Sequence, residues 1–369
     1  MFKFHMPTKV IVGENCVLNN PKDLMLGKSA LIVTGKSSGK KSGALDDVIF
    51  VLENAKIPYH VYDKVENNPE ISDMAQGGRL ARECGADFII AIGGGSPMDA
   101  AKAIGVYAVN EPGEDGEFKL YDIFKGEYKN KPLPMVAIPT TAGTGSEVTP
   151  YSILTLHNEK TKKSFSCVDS FFKVAFLDGR YTVSLPLQVA RNTAVDAMCH
   201  LIEGYTNKKA SPSSDYIALE GLRIIGKHLD ALESGSLALD ACTELLWASA
   251  LGGIVISQTG TTIVHSMGYE LTYFKDIPHG MANGYLVYEY LKRIDSKRVA
   301  DCIGALGIES LENFKEYLEK ILPRVCNFTE KEILDWSEIS IKARNVASCP
   351  YQATRELEIE IYKNSLLKE

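Results

Sequence analysis

Short apolar runs alternate with helically spaced segments through the first half of the chain. ALIVT (30–34), PYHVYD (58–63), DFIIAI (87–92) and PMVAIPT (134–140) read as strands, with ALIVT taken as the first. Between them 40–56, 69–85 and 96–109 carry apolar side chains at helical spacing, the last opened by Ser96 as a cap and by Pro97. Strand–helix alternation of this kind builds a parallel sheet covered on both faces. YSILTL, KSFSCV and KVAFLD supply further strand-like pieces, and 111–133 is a polar, turn-rich excursion. Beyond Thr182 strand signals fade and helical patterns dominate, over 187–206, 212–231, 238–257, 261–273, 281–294, 311–322 and 330–346, with SLPLQ opening the first of them through a serine cap and an early proline. The pattern therefore predicts two domains, a Rossmann-like α/β domain over 1–182 and an all-helical domain over 183–369.

Composition adds bounds rather than detail. The chain has 369 residues, a net charge of -7 and interspersed acids and bases, which argues against nucleic acid or an anionic membrane as partner. No signal-peptide pattern opens it, and FIIAIGGG and WASALGGIVIS read as too short to span a membrane. Eight cysteines (Cys16, Cys84, Cys167, Cys199, Cys242, Cys302, Cys326 and Cys349) form no Cys-x-x-Cys pair, so a reducing, cytoplasmic setting is expected. Cys199 reads as core packing.

Candidate chemistry gathers on RNTAVDAMCHLIEGY (191–205), where Asp196 and His200 stand at i and i+4 on one helix face. A carboxylate beside an imidazole can grip a divalent cation, and His265 and His279 would complete a four-ligand site. Taken alone, Asp-x-x-x-His is a weak signal and His265 reads as a core histidine. His279, between Pro278 and Gly280 on a turn, is harder to explain structurally. His5, His60, His157 and His228 read as structural or surface residues.

GGGSPMDAAK (93–102) follows a strand and opens a helix, the physical recipe for a pyrophosphate site built on Gly93, Gly94, Gly95, Ser96 and Pro97. PTTAGTGSEVT (139–149) is a second segment of small and hydroxyl residues after a strand. Neither fits the G-x-G-x-x-G fingerprint. After ALIVT comes GKSSGKKSG (35–43), which has no acid; Gly35, Ser37 and Ser38 with Lys36, Lys40 and Lys41 would suit the 2′-phosphate of NADP. Asp63, at the end of the next strand, would suit NAD, and the pattern alone leaves that choice open.

GGGSPMDAAK, PTTAGTGSEVT, AVDAMCHLIEGY and PHGMAN, in this order and spacing, resemble the iron-containing alcohol dehydrogenase family from about Lys9 to the mid-280s. The resemblance implies an α/β nucleotide domain joined to a helical domain, the architecture shared with dehydroquinate synthase, with the active site in the cleft between them. It implies Asp196, His200, His265 and His279 as ligands of one divalent metal, iron(II) first, with zinc or manganese also suited to the ligand types. It implies cofactor contacts from Gly93–Ser96 with Asp99 and Lys102, from the segment of Thr140, Thr141, Thr144, Ser146 and Glu147, from Asn68 before Pro69, and from Lys163. Gly35, where NAD-preferring members tend to carry Asp, tips the expectation to NADP and makes Asp63 structural. Tyr269 stands where many members carry a further histidine, so the proton would leave through water, a ribose hydroxyl or the tyrosine. The expected activity is reversible hydride transfer between NAD(P)(H) and a small primary alcohol or aldehyde, by a homodimer seamed at the N-terminal strand. A glycerol or polyol dehydrogenase is the near alternative. A dehydroquinate-synthase-like lyase would need a basic cluster, whereas Met198, Met267, Tyr269 and Leu271 predict an uncharged lining. A non-catalytic sensor on the same fold is the third reading.

Overall fold

The computed structural model describes residues 2–113, 118–157, 161–324 and 327–367. Cys326 and part of the 111–133 excursion lie outside the described residues. The chain divides into an α/β unit, Met6–Thr141 with Gly145–Ser184, and a helical unit, Leu185–Glu369 with Met1–His5 and Ala142–Thr144.

In the α/β unit the order is β1 (Lys9–Val12), α1 (Cys16–Asn19), α2 (Pro21–Leu24), β2 (Ala30–Gly35), α3 (Ser38–Lys41), α4 (Ala44–Asn54), β3 (Tyr59–Val65), α5 (Ile71–Glu83), β4 (Phe88–Gly93), α6 (Gly95–Val109), β5 (Met135–Pro139), β6 (Tyr151–Leu156), β7 (Thr161–Ser166) and β8 (Val174–Leu177). Six strands form a sheet in the order β1-β8-β5-β4-β2-β3, every neighbouring pair parallel. β6 and β7 pair separately as an antiparallel hairpin. Every residue of β4 is buried. Ile89 and Ala91 enter one core; Phe88, Ile90 and Ile92 enter the other. That two-sided burial is why the strand reads as a continuous apolar run rather than an alternation.

ALIVT is thus the second strand; β1 precedes it and lies at a sheet edge beside β8. The helix expected over 40–56 is two, because Gly43 adopts a left-handed φ of 82° and resets the chain before α4. Ser96 does not cap α6: Gly94 is the N-cap, no side chain caps the helix, and the Ser96 hydroxyl instead accepts the backbone N–H of Asn68 at 3.4 Å.

The helical unit contains α7 (Leu187–Thr206), α8 (Pro212–Gly226), α9 (Leu229–Ser234), α10 (Leu239–Thr259), α11 (Ile263–Lys275), α12 (His279–Leu291), α13 (Ser296–Ala305), α14 (Leu311–Ile321), α15 (Glu330–Ser340) and α16 (Arg355–Leu366). The run 212–231 divides into α8 and α9, and α13 and α16 have no counterpart in the periodicity reading. No serine caps α7; its N-cap is Pro186. His279 is the first residue of α12 rather than a turn residue before it. α10, with 21 residues, is long and apolar enough to cross a membrane, contrary to the sequence expectation, but most of its apolar window is packed inside the unit.

Candidate metal centre and cofactor edge

Three helices of the helical unit build the metal candidate. α7 carries Asp196, His200 and Glu203 at i, i+4 and i+7, one face of a helix. α11 carries His265 and Tyr269, and α12 carries His279 and Asn283. Glycines let these helices close up. A Cβ on Gly280 would lie 1.8 Å from the Asn192 carbonyl oxygen and 2.9 Å from the Asp196 Cβ; one on Gly268 would lie 2.1 Å from Asn283 Oδ1.

Asp196 Oδ1 stands 3.7 Å from His265 Nε2 and 3.9 Å from His279 Nε2. One ligand atom from each of Asp196, His265 and His279 falls within 4.8 Å of the others. His200 flanks this trio, its ring stacked on His265 with centroids 4.5 Å apart. Its Nδ1 lies 3.2 Å from the Gly143 carbonyl oxygen, which can only accept, so Nδ1 carries the proton and Nε2 keeps the lone pair. Tyr269 stacks on His279, with centroids 5.2 Å apart and planes 9° from parallel.

Burial would push the Asp196 carboxyl up, but His200, His279, His265 and the Asn283 amide together hold it below its ordinary value. Burial lowers His200, with Asp196 opposing. For His265 burial also favours the neutral ring, yet the Glu203 carboxylate outweighs it and the net direction is up. His265 Nε2 is buried with no hydrogen-bond partner. An unsatisfied buried nitrogen costs roughly 1–3 kcal/mol. One that faces a carboxylate and further imidazoles fits a divalent cation in chemistry as well as in geometry.

Sequence reasoning missed Glu203, Thr262 and Asn283. Glu203 was legible in principle, since it shares the face of Asp196 and His200. Asn283 Nδ2 donates to Asp196 Oδ1 at 3.0 Å and lies 3.3 Å from His279 Nε2. The expected lining is corrected: Met198, Met267 and Leu271 are fully buried core residues, which leaves Tyr269 beside the ligands. Arg191 is turned away, donating to the carbonyls of Leu232 and Glu233. Among the other histidines, His228 Nε2 lies 2.9 Å from Glu244.

In the α/β unit the candidate cofactor segments share one edge. In a parallel sheet the carboxyl ends of all strands lie on the same side, and 35–43, 66–70, 93–97 and the start of 139–149 follow β2, β3, β4 and β5. The chain runs from β2 outward to β3, then returns to β4 on the other side of β2, a topological switch point of the kind that binds ligands. Gly93 has φ 146°, and a Cβ there would meet the Pro97 ring at 2.5 Å; one on Gly94 would meet Thr141 Oγ1 at 2.9 Å. The Thr140 N–H donates to the Gly93 carbonyl at 2.9 Å, tying the two segments together. Gly95, Ser96 and Pro97 form the first turn of α6, whose N-terminal N–H groups no side chain caps. Gly35 ends β2, Ser37 precedes α3 and Ser38 begins it. Lys36 pairs with Glu66, and Asp63 is exposed on β3. Thr144 groups with the helical unit.

Asp99 and Lys102 are committed to the protein itself. Lys102 Nζ, fully buried, donates to Ser146 O (2.9 Å), Ser146 Oγ (2.8 Å), Thr149 Oγ1 (3.3 Å) and Tyr151 O (2.6 Å). Asp99 accepts from Ser146 Oγ at 2.9 Å and from the Ile153 N–H at 3.1 Å. Lys163 lies over the Phe124 ring, 4.9 Å from its centroid, whereas Lys162 donates to Asn68 Oδ1 at 2.7 Å. Adjacent strand residues face opposite ways, so Lys162 and Lys163 meet different neighbours.

Comparison with known proteins matches residues 7–179 to the family model described as iron-containing alcohol dehydrogenase, and residues 190–366 to the C-terminal model of the Fe-containing alcohol dehydrogenase family. The chain belongs to the iron-containing alcohol dehydrogenase family. It is a metal-dependent alcohol dehydrogenase, and the family implies NAD(P) and an iron-type metal. An iron-containing alcohol dehydrogenase of Thermotoga maritima superposes with a TM-score of 0.89 at 38% identity, covering 100% of both chains. A 1,3-propanediol dehydrogenase of Klebsiella pneumoniae is 35% identical over 80% of this chain and 75% of its own length. An NADPH-dependent butanol dehydrogenase of Clostridium saccharobutylicum is 30% identical over 91% of this chain and 81% of its own. The family match runs through residue 366, well past the mid-280s where the motifs thin.

Proposed function

We propose that this dehydrogenase interconverts a small neutral alcohol and its aldehyde with NADP(H), at a divalent ion held by Asp196, His200, His265 and His279. The observation that carries the reading is the buried His265 Nε2, without a hydrogen-bond partner and 3.7 Å from Asp196 Oδ1. When bound, the ion supplies Lewis acidity to the substrate oxygen, and the nicotinamide supplies or accepts hydride. Asp196 brings one negative charge and the imidazoles are neutral ligands, so the bound divalent ion keeps a net positive charge. Asn283 fixes the Asp196 carboxylate, and Tyr269, stacked on His279, is the proposed side chain for passing a proton to water.

The edge of β2, β4 and β5 is the proposed cofactor platform, with Gly93–Pro97 at the pyrophosphate, Asn68 with Lys162 at a ribose, and Gly35, Ser37 and Ser38 at the 2′-phosphate. The lack of acid in 35–43 supports NADP, as does the name of the butanol dehydrogenase relative. A neutral substrate is supported by the absence of Lys and Arg from 192–207 and 259–274. The seven described cysteines are free thiols, in keeping with a reducing compartment. The exposed edge of β1 is the proposed seam of a homodimer, which light scattering would test.

The decisive experiment strips the metal with a chelator, adds back Fe(II), Zn(II) and Mn(II) singly, and follows NADPH and NADH oxidation with butanal. Turnover restored by one ion, and faster with NADPH, is expected; full activity in metal-free protein would overturn the reading.

A further inference from the structure

We propose that Glu203 is a positioning residue for the metal centre, holding His265 in the tautomer whose Nε2 lone pair faces Asp196. The inference rests on the reading of His265 as a ligand. Glu203 is fully buried, and an uncompensated carboxylate there would be very costly. It is compensated entirely by α11. Oε1 accepts from the Thr262 backbone N–H at 2.8 Å, from Thr262 Oγ1 at 2.5 Å and, more distantly, from the His265 backbone N–H at 3.4 Å. Oε2 pairs with His265 Nδ1. Thr262 is the N-cap of α11, so the carboxylate also sits at the positive end of that helix.

An ionised carboxylate can only accept, so Nδ1 must carry the proton, and in a neutral imidazole the lone pair then falls to Nε2. That nitrogen is the buried one without a hydrogen-bond partner, beside Asp196. One helix, α7, thereby supplies Asp196 and His200 and also orients the ligand on α11. A rival role is available: Glu203 could merely cap α11, with no bearing on metal.

Glu203→Gln separates the two. The Gln Oε1 keeps both Thr262 bonds, and so keeps the cap. Its amide NH2 replaces Oε2 and can only donate, so Nδ1 becomes the acceptor and the proton moves to Nε2, where it blocks ligation. The experiment measures Zn2+ affinity of the metal-free full chain by competition with a chromophoric chelator, with histidine 15N spectra reporting the tautomer of His265. Expected are an Nδ1–H tautomer in the wild type, an Nε2–H tautomer in E203Q, an unfolding midpoint of metal-free E203Q close to wild type, and Zn2+ affinity lower by roughly 10–100-fold. Affinity of E203Q within twofold of wild type, or an Nε2–H tautomer in the wild type, would overturn the proposal. If E203Q does not fold, the wild-type spectrum decides alone. D196A and H265A serve as controls. Should they bind Zn2+ as well as wild type, the ligand assignment itself is at fault; should they lose it while E203Q does not, only the role given to Glu203 fails.

Discussion

Gly280 shows how much can depend on one absent methyl group. It follows His279, and α12 can lie against α7 only because nothing projects there toward the Asn192 carbonyl. A backbone oxygen cannot rotate aside as a side chain can, so Gly280→Ala should cost about 3 kcal/mol and displace His279. Calorimetry together with metal analysis would check both effects. A different single-residue property is expected at Glu358, a buried carboxyl on α16 that is pushed up to about 7 by burial, with its hydrogen bond from Ser340 only partly opposing. Its folded value lies above its unfolded one, so its contribution is complete below about pH 4.3 and is lost as pH rises through about 7. Glu358→Gln should therefore melt close to wild type at pH 5 and above it at pH 8.5, the gap corresponding to at most about 3 kcal/mol. Equal melting temperatures at both pH values would refute the assignment. Neither effect was legible in the chain: PHGMAN marks Gly280 as near a ligand without revealing what it touches, and ELEIE gives no sign that its middle acid is buried.

At the scale of elements, periodicity told the most where one element closes on its own residues. The i, i+4 relation of Asp196 and His200 is a property of α7 alone and needed no tertiary knowledge. Lys102 is the contrary case. In a sequence it belongs to a glycine-rich motif facing a cofactor; in the fold it leaves α6 to hold the segment that follows β5. Burial brings its ammonium down to about 8, against the pull of Asp99 and Glu147. Lys102→Met would leave Asp99 and several oxygen acceptors uncompensated, at a cost of roughly 3–5 kcal/mol. It should lower the melting temperature and raise KM for the nicotinamide cofactor, because Ser146 and Thr149 would lose their anchor. Unchanged stability would count against that clamp. The Lys162–Lys163 pair carries the same lesson for strands: adjacent residues occupy opposite faces of β7, and only the register of the hairpin decides which lysine meets Asn68.

At the scale of the whole molecule, the two candidate sites belong to different parts of the chain, and ligands should reveal this. Zn2+ should slow amide exchange in α7, α11 and α12, whereas NADP should slow it after β2, β4 and β5. Hydrogen-exchange mass spectrometry of the full chain reads both patterns, and Zn2+ protection confined to the α/β unit would contradict the ligand set. Local chemistry by itself determined the alternation of strands and helices, the helical character of the second half, the glycine segments and the types of the metal donors, because each depends on spacing within a few residues. Tertiary structure alone decided the sheet order with β1 at its edge, the close approach of α12 to α7, and the meeting of Glu203 with His265 across 62 positions. Such contacts depend on which surfaces pack together, and a repeat of 3.6 or of 2 residues carries no record of the partner.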